Sequence, residues 1–231
     1  MSSIRTVFGL TVLVAALPAS AATTYDLVSD WAPGANPNGT WAYLSGSAIL
    51  PYWPTMAPLG GAGGFAPSAD VGTFLPVFWR PGAAGTDVFV HSYDGFNGGA
   101  ASGEAVLQWT SPVTGTIDLS GYFYYAHAPL QRSNDVTVKL GSTQLLAVTT
   151  SYVQYQDYAN RYSFSFDDLA VSAGDALLIS FVRSPGYAPG TVTGMDVTVV
   201  AQAVPEPGTW ALMAGGLGLV GWLARRGRTG S

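Results

Sequence analysis

The chain has 231 residues, of which 48% are hydrophobic and 13% aromatic, and it carries a formal net charge of −5 with no cysteine. A chain of this length fits one domain, and without cysteine no disulfide holds the fold, so a sizeable apolar core has to do so. The acidic balance excludes nucleic acid as an expected partner, because binding to a phosphate backbone depends on clustered Lys and Arg.

Residues 1–21 are predicted to be a secretory signal peptide. Arg5 gives a charged start, an apolar run covers 7–17, and the small residues Ala-Ser-Ala occupy 19–21. A basic start, a short apolar core and an A-x-A site are typical of a cleaved export signal. The alternative is an uncleaved membrane anchor with the same flanks.

Residues 22–203 form the body, and their dominant signal is a period-two alternation of apolar and polar residues. Ile117, Leu119 and Phe123, for example, share one face of the segment 115–125. Such alternation is typical of half-buried strands, and no segment of the body has a convincing helical period. The pattern predicts about ten strands, at 40–50, 73–79, 87–92, 104–110, 115–125, 134–140, 143–150, 161–169, 176–183 and 192–201.

Many short strands in one domain of this size favour an all-β fold, a two-sheet β-sandwich or jelly roll of about ten antiparallel strands. The first third of the body differs, since residues 32–84 are rich in Pro, Gly and aromatic side chains. Long loops in compact domains are either functional or mobile. If the body has a binding face, we therefore expect it in this segment.

Aromatic residues are the strongest candidates for binding. Flat rings suit the C–H faces of sugars as well as protein cores. The predicted carbohydrate contacts are Tyr43, Trp53, Trp79 and Tyr93, and a second group of tyrosines lies in the polar stretch 152–158. For any single ring, packing in the core is the alternative.

Catalytic patterns are scarce. The sequence has no G-x-S-x-G, no H-E-x-x-H and no cysteine nucleophile. His91 and His127 meet only if the fold brings them together, and neighbouring Asp167 and Asp168 point to opposite faces of a strand. No catalytic residue is predicted, although a two-carboxylate glycosidase that uses Glu104 and a distant Asp remains an alternative.

The segment 204–231 has a different character. A Pro-Glu-Pro sequence at 205–207, which is unsuited to a helix interior, precedes an uncharged, Gly-rich run at 209–224 and an arginine cluster. The run predicts a hydrophobic transmembrane helix of about 24 Å, which is marginal against a hydrocarbon core of about 30 Å. The arginines would remain cytoplasmic, so the tail is expected to contact the inner membrane transiently.

The order and spacing of Pro205, Glu206 and Pro207, the apolar run, and then Arg225 and Arg226 resemble the PEP-CTERM sorting signal of Gram-negative bacteria. The resemblance implies that an exosortase, a membrane-embedded sorting enzyme, recognises Pro-Glu-Pro and removes the tail. It also implies delivery to the cell envelope, outer surface or extracellular matrix, and an association with exopolysaccharide and biofilm. The alternative is an ordinary single-pass anchor.

The body resembles the β-sandwich domains that PEP-CTERM proteins commonly carry, through strand and turn patterns at 36–43, 104–112 and 171–175. Sugar-binding jelly rolls often hold a calcium ion at their chain ends. By that resemblance Asp26 and Asp196 are candidate calcium ligands, since hard cations take carboxylate oxygens. The alternative is that these acids are solvated or cap turns.

These observations lead to three hypotheses for the body. The first is an exported, noncatalytic surface or matrix protein that contacts exopolysaccharide. The second is a secreted carbohydrate-active enzyme on a jelly-roll scaffold. The third is a structural surface protein that associates with itself, for which a long uncovered edge strand would be the sign.

If the tail is only an address, a chain truncated after Ala203 should remain soluble and folded, because its core lies within 22–203. Circular dichroism and size-exclusion chromatography of the truncated chain test this. Unfolded, insoluble material would show that the last segment belongs to the core.

Overall fold

The computed structural model describes residues 21–82, 87–93, 104–127, 130–186, 189–204 and 207–226. These residues form strands, turns, two short 3-10 helices at Ala57–Leu59 and Tyr158–Asn160, and one C-terminal α-helix. In chain order the strands are β1 (Thr23–Asp26), β2 (Trp41–Ser45), β3 (Ala48–Ile49), β4 (Tyr52–Trp53), β5 (Gly64–Phe65), β6 (Val77–Trp79), β7 (Val88–His91), β8 (Ala105–Thr110), β9 (Gly115–Tyr125), β10 (Ser133–Leu140), β11 (Thr143–Ser151), β12 (Tyr162–Val171), β13 (Ala176–Arg183) and β14 (Val192–Ala203).

The strands form two sheets, and within each sheet every pair of neighbouring strands is antiparallel. The larger sheet has eight strands in the order β12-β9-β14-β7-β6-β5-β4, with β1 paired to β14. The smaller sheet has six strands in the order β11-β10-β13-β8-β2-β3. The prediction of an all-β, two-sheet sandwich is confirmed.

Most predicted strands appear where the alternation placed them, and 115–125 and 176–183 have the predicted bounds. The predicted strand 40–50 is instead the hairpin β2–β3, because Gly46 adopts a left-handed conformation with φ of 58°. The strands β1, β4 and β5 were not predicted. At four, two and two residues they are too short to show a period.

A continuous series of aromatic rings connects the inner faces of the two sheets. Tyr43 of the smaller sheet stacks on Phe65 of the larger at 4.5 Å between ring centroids. Phe181 of the smaller sheet contacts Phe123 of the larger at 5.9 Å. Phe78 joins these two pairs, at 5.4 Å from Tyr43 and 6.5 Å from Phe181. We call Tyr43, Phe65, Phe78, Phe123 and Phe181 the aromatic spine, and each member is fully buried, with 0% of its surface exposed.

The C-terminal helix α1 runs over Pro207–Arg226, so the predicted helix is confirmed. Within the described part of the chain, no helix combines the length and apolar character needed to cross a membrane. The prediction of a transmembrane helix is therefore not confirmed. Pro205 and Glu206 lie outside the described residues, as does the predicted signal peptide except for Ala21.

Replacing a member of the aromatic spine should strongly destabilise the fold. Phe123→Ala removes a fully buried ring that also stacks on Phe164 at 5.1 Å, so the free energy of unfolding should fall by about 3–5 kcal/mol. Val182→Ala, at a side chain 43% exposed on β13, is the control and should change it by less than about 0.5 kcal/mol. Urea denaturation measures both, and equal effects would contradict a core centred on the spine.

Candidate functional site

The outer face of the larger sheet carries a row of aromatic side chains. Trp79 of β6 lies opposite Phe89 of β7, Phe89 lies opposite Gly194 of β14, and Gly194 lies opposite Tyr124 of β9. The ring centroids of Trp79 and Phe89 are 5.5 Å apart, and those of Phe89 and Tyr124 are 6.5 Å apart. Cross-strand neighbours on one face contact each other in this way. The row therefore crosses four adjacent strands.

Gly194 makes the row continuous. A Cβ atom at this position would lie 2.3 Å from Cζ of Tyr124, so no other residue fits without moving the ring. The ring of Tyr124 consequently lies over the backbone of β14. A glycine inside a strand often marks such a close approach.

The row ends in a corner formed by three tyrosines. Tyr122 lies two residues from Tyr124 on the same face of β9, with ring centroids 6.4 Å apart. Tyr158 stands at 89° and 90° to these two rings, at 5.6 and 5.7 Å. Tyr158 is 50% exposed, whereas Tyr124 is 9% exposed. We call Trp79, Phe89, Tyr122, Tyr124 and Tyr158 the aromatic face.

Asp87 fixes two of these rings. Its two carboxylate oxygens accept hydrogen bonds from the hydroxyls of Tyr122 and Tyr124, each at 2.8 Å. Burial and these hydrogen bonds raise the pKa of both tyrosines well above the usual value of 10.0. Both hydroxyls therefore remain protonated donors at any physiological pH.

Arg161 covers part of the tyrosine corner. Its guanidinium carbon lies 4.4 Å from the ring centroid of Tyr158 and 5.1 Å from that of Tyr122, which are cation–π distances. Nη1 donates to the carbonyl oxygen of Tyr158 at 2.9 Å. The buried Nε has no hydrogen-bond partner among the described residues. Arg161 thus places a positive charge beside a largely acidic site.

Asp196 supplies a carboxylate with unusual electrostatics. It lies opposite Tyr122 in the sheet register. Burial raises its pKa to about 6, and the neighbouring carboxylates of Asp26 and Asp87 act in the same direction. Hydrogen bonds from the backbone N–H groups of Val197 and Val28 oppose that rise without cancelling it.

The predicted calcium ligands are close to each other. Asp26 of β1 accepts a hydrogen bond from the hydroxyl of Thr198 at 3.0 Å, and Thr198 is two residues beyond Asp196 on the same face of β14. In the described segments, however, no group of three or more His, Asp or Glu side chains is arranged to hold a metal ion. Calcium binding by this pair stays a prediction.

The four predicted carbohydrate contacts are separated by the fold. Tyr43 is 0% exposed and belongs to the aromatic spine, so its prediction as a surface contact is wrong, because a core ring offers no surface to a ligand. Trp53 is half-buried and donates its indole N–H to the carbonyl of Ala66 at 3.0 Å. Trp53, Trp79 and Tyr93 pack around a small second cluster, but only Trp79 of the four belongs to the aromatic face.

The segment 32–84 contributes Trp79 alone to the aromatic face, and a binding face within that segment stays a prediction. The sequence contains a pattern that predicts the aromatic face. Alternation in 115–125 places Ile117, Leu119 and Phe123 inside, which leaves Tyr122 and Tyr124 on the polar side of the strand. Two aromatic residues on a face expected to be polar mark a surface site.

The two histidines do meet in the fold. Their ring centroids are 5.6 Å apart, and Nδ1 of His91 lies 2.7 Å from the carbonyl oxygen of Ser92. Burial lowers the pKa of His127 to about 4, and the charges of His91 and Arg132 add to that effect. His127 is therefore neutral near pH 7, in keeping with a structural role.

Asp167 and Asp168 lie on an edge strand of the larger sheet. Both are exposed and interrupt β12, where the register with β9 shifts between Phe166 and Leu169. Asp168 adopts a left-handed conformation with φ of 55°, and its N–H donates to the carboxylate of Asp118 at 2.9 Å. The two residues form a β-bulge at the edge of the sheet.

A second, concave region is formed by β1, the start of β2 and the chain between these two strands. It has a volume of about 330 Å³ and is lined by Tyr25, Asp30, Asn38, Gly39, Thr40 and Trp41. Asn38–Trp41 is a tight turn in which Gly39 has φ of 59°. Its lining is mostly apolar and includes the two aromatic residues Tyr25 and Trp41.

The described structure defines a two-sheet sandwich with an aromatic outer face and a helical tail. Residues 203–228 match the PEP-CTERM protein-sorting motif. The chain therefore carries a PEP-CTERM sorting signal, which marks an exported protein sorted to the cell envelope or surface and implies processing by an exosortase. No curated protein matches the sequence.

Several solved β-sandwich domains are similar in shape. The K3 adhesin domain of Lys-gingipain from Porphyromonas gingivalis is 16% identical, with a TM-score of 0.39 over 70% of this chain and 92% of that one. The N-terminal cellulose-binding domain of a β-1,4-glucanase from Cellulomonas fimi is 9% identical, with a TM-score of 0.35 over 78% and 96%. A family 35 carbohydrate binding module from Clostridium thermocellum is 7% identical, with a TM-score of 0.31 over 52% and 79%. Scores this low carry no argument about ligand or function.

The raised pKa of Asp196 predicts a pH-dependent gain in stability from Asp196→Asn. The folded protein binds the proton of the Asp196 carboxyl more tightly than the unfolded chain does. Protonated Asp196 therefore contributes its full stabilisation below pH 3.8, and that contribution is lost as the pH rises through about 6. Removing the carboxyl should raise Tm above that of the wild type at neutral pH. The difference should vanish as the pH falls toward about 4. Differential scanning calorimetry across this range measures it, and an offset independent of pH would contradict the assignment.

Proposed function

We propose that the body is a noncatalytic carbohydrate-binding domain and that its ligand lies along the aromatic face. After sorting by an exosortase, the protein would act at the cell surface or in the extracellular matrix, in contact with exopolysaccharide or another biofilm component. The observation that carries this proposal is the cross-strand row Trp79, Phe89 and Tyr124 on an outer sheet face, where alternation normally places polar side chains.

The chemistry of the face suits a glycan. Aromatic rings offer flat apolar surface to the C–H faces of sugars. Sugar hydroxyls also need hydrogen-bond partners, and Asp196 and Arg161 lie beside the rings, both half-buried and thus partly accessible. An apolar surface with a few placed polar groups is the usual composition of a binding site for an organic ligand.

The spacing of the rings favours a chain over a single sugar. The row contains two ring-to-ring steps of 5.5 and 6.5 Å, and one sugar unit is too small to contact all three rings. The rings also belong to strands, which hold them more firmly than loops would. An extended oligosaccharide or polysaccharide is therefore the proposed ligand class.

A secreted carbohydrate-active enzyme is the second candidate, and one observation favours it. Asp196 has a pKa raised to about 6 and shares the tyrosine corner with a second carboxylate, that of Asp87. A raised carboxyl pKa beside another carboxylate is the pattern of an acid and base pair in glycoside hydrolysis. Asp87, however, has both oxygens occupied by tyrosine hydroxyls, so we propose binding without cleavage.

Alanine substitutions in the row should weaken glycan binding. Trp79→Ala and Phe89→Ala each remove a half-buried ring from the face, and each should cost about 2 kcal/mol, or about thirtyfold in Kd. Isothermal titration calorimetry of the purified protein against bacterial exopolysaccharides and glucan oligosaccharides, with and without calcium, measures the effect. The same samples are then analysed for shortened chains.

Tyr25→Ala is the matched control, since Tyr25 lines the second concave region and lies outside the aromatic face. It should leave Kd unchanged. Loss of binding in Tyr25→Ala with retention in Trp79→Ala and Phe89→Ala would move the site to that region. Release of oligosaccharides that disappears in Asp196→Asn would replace the binding proposal by the enzyme. Dependence of Kd on calcium would support the predicted ion at Asp26 and Asp196.

A further inference from the structure

The four strands that end the two sheet orders differ sharply in how they are protected, and β1, which pairs only with β14 beside the main order, is a further edge strand of only four residues. Natural sheets block their edges with very short strands, charged residues or bulges, because an open edge pairs with any available strand. The edge strands β3 and β4 have only two residues each. The edge strand β12 is interrupted by the bulge that contains Asp167 and Asp168. Each of these three edges is thus blocked by one of the known devices.

The fourth edge, β11, has none of them along most of its length. It is nine residues long, with the sequence TQLLAVTTS, and contains no charge, proline or glycine. It pairs with β10 on one side and ends the smaller sheet on the other. Its register with β10 shifts once, near its start, and is regular over Leu146–Ser151. At its end, Thr150 is buried and its hydroxyl lies 3.2 Å from that of Thr193, and the backbone of Ser151 forms a local turn with Gln154.

The core is also incompletely covered at this edge. Leu146 and Val148 lie opposite Val138 and Val136, which are 0% exposed. Leu146 and Val148 themselves, with Leu145, pack on the core but are only partly buried. A further strand beside β11 would complete their burial, and removing apolar surface from water is favourable.

We propose that β11 pairs with β11 of a second copy of this chain, antiparallel and about a two-fold axis, so that the smaller sheets of both copies become one sheet. The sequence of β11 favours a second copy of this chain as the partner at its free edge. In a two-fold pairing the same strand faces itself, so length and alternation match, and Leu146 and Val148 of each copy continue the core of the other. The chain as a whole is acidic, and an uncharged strand is where two such chains approach without repulsion.

This inference does not depend on the proposed glycan binding. The aromatic face belongs to the larger sheet, whereas β11 ends the smaller one. Dimerisation through β11 would leave both aromatic faces accessible and would present two of them to one polysaccharide, which raises the effective affinity.

Sedimentation velocity on the full chain tests the pairing, with detergent in every sample so that α1 does not drive association. The wild type should form a dimer whose fraction rises with concentration. Ala147→Lys places a charge in the middle of the free edge at an exposed side chain, and dimerisation should weaken about tenfold or more. Ser165→Lys is the matched control, at an exposed side chain on the already blocked edge strand β12, and should dimerise like the wild type.

Hydrogen exchange on the wild type gives a readout that needs no variant. Amides of 143–151 should exchange more slowly at concentrations where the dimer forms, while those of β12 should not change. A wild type that is monomeric at all concentrations, a dimer that survives Ala147→Lys, or exchange in β11 that is independent of concentration would each overturn the proposal. If the wild type is monomeric but still binds glycan, the pairing through β11 is overturned and the proposed glycan binding stands.

Discussion

The stacking of aromatic rings between the two sheets is the interaction on which the rest of this structure depends. The chain has no cysteine, so the sheets are held together without disulfides, by their apolar inner faces and by buried hydrogen bonds such as that from Asn134 of the smaller sheet to Thr193 of the larger. Tyr43 and Phe181 of the smaller sheet are held by Phe65, Phe78 and Phe123 of the larger one. Because the inner faces are used for stability, the outer faces, the sheet edges and the loops are left for recognition.

The aromatic face makes use of one of these outer surfaces. Its precision comes from the strands beneath it, since register sets the order Trp79, Phe89, Gly194 and Tyr124. Gly194 then permits a close approach that any side chain would block. Half-burying carboxylates beside the rings has an electrostatic cost, visible in the raised pKa of Asp196. Costs of this kind are expected where a surface serves recognition as well as stability.

The sorting signal and the aromatic face occupy separate parts of this chain. The PEP-CTERM motif occupies 203–228 and begins at the last residue of β14, whereas the aromatic face uses residues between Trp79 and Tyr158. A sorting signal is read as a sequence by the enzyme that processes it, so it needs no contact with the body. The body, in turn, can carry any function that its own surface supports.

The sequence by itself determined the class of fold, most strand positions and the sorting signal. Alternation with period two is a local property, so strands such as 115–125 and the buried set of Ile117, Leu119 and Phe123 follow from it directly. Only the tertiary structure decided which aromatic residues are core and which are surface. Tyr43 and Trp79 look alike in sequence, but Tyr43 points between the sheets and Trp79 points outward. The meeting of Trp79, Phe89, Tyr124 and Asp196, and the open edge at β11, depend on which distant strands pair, and no local pattern encodes that choice.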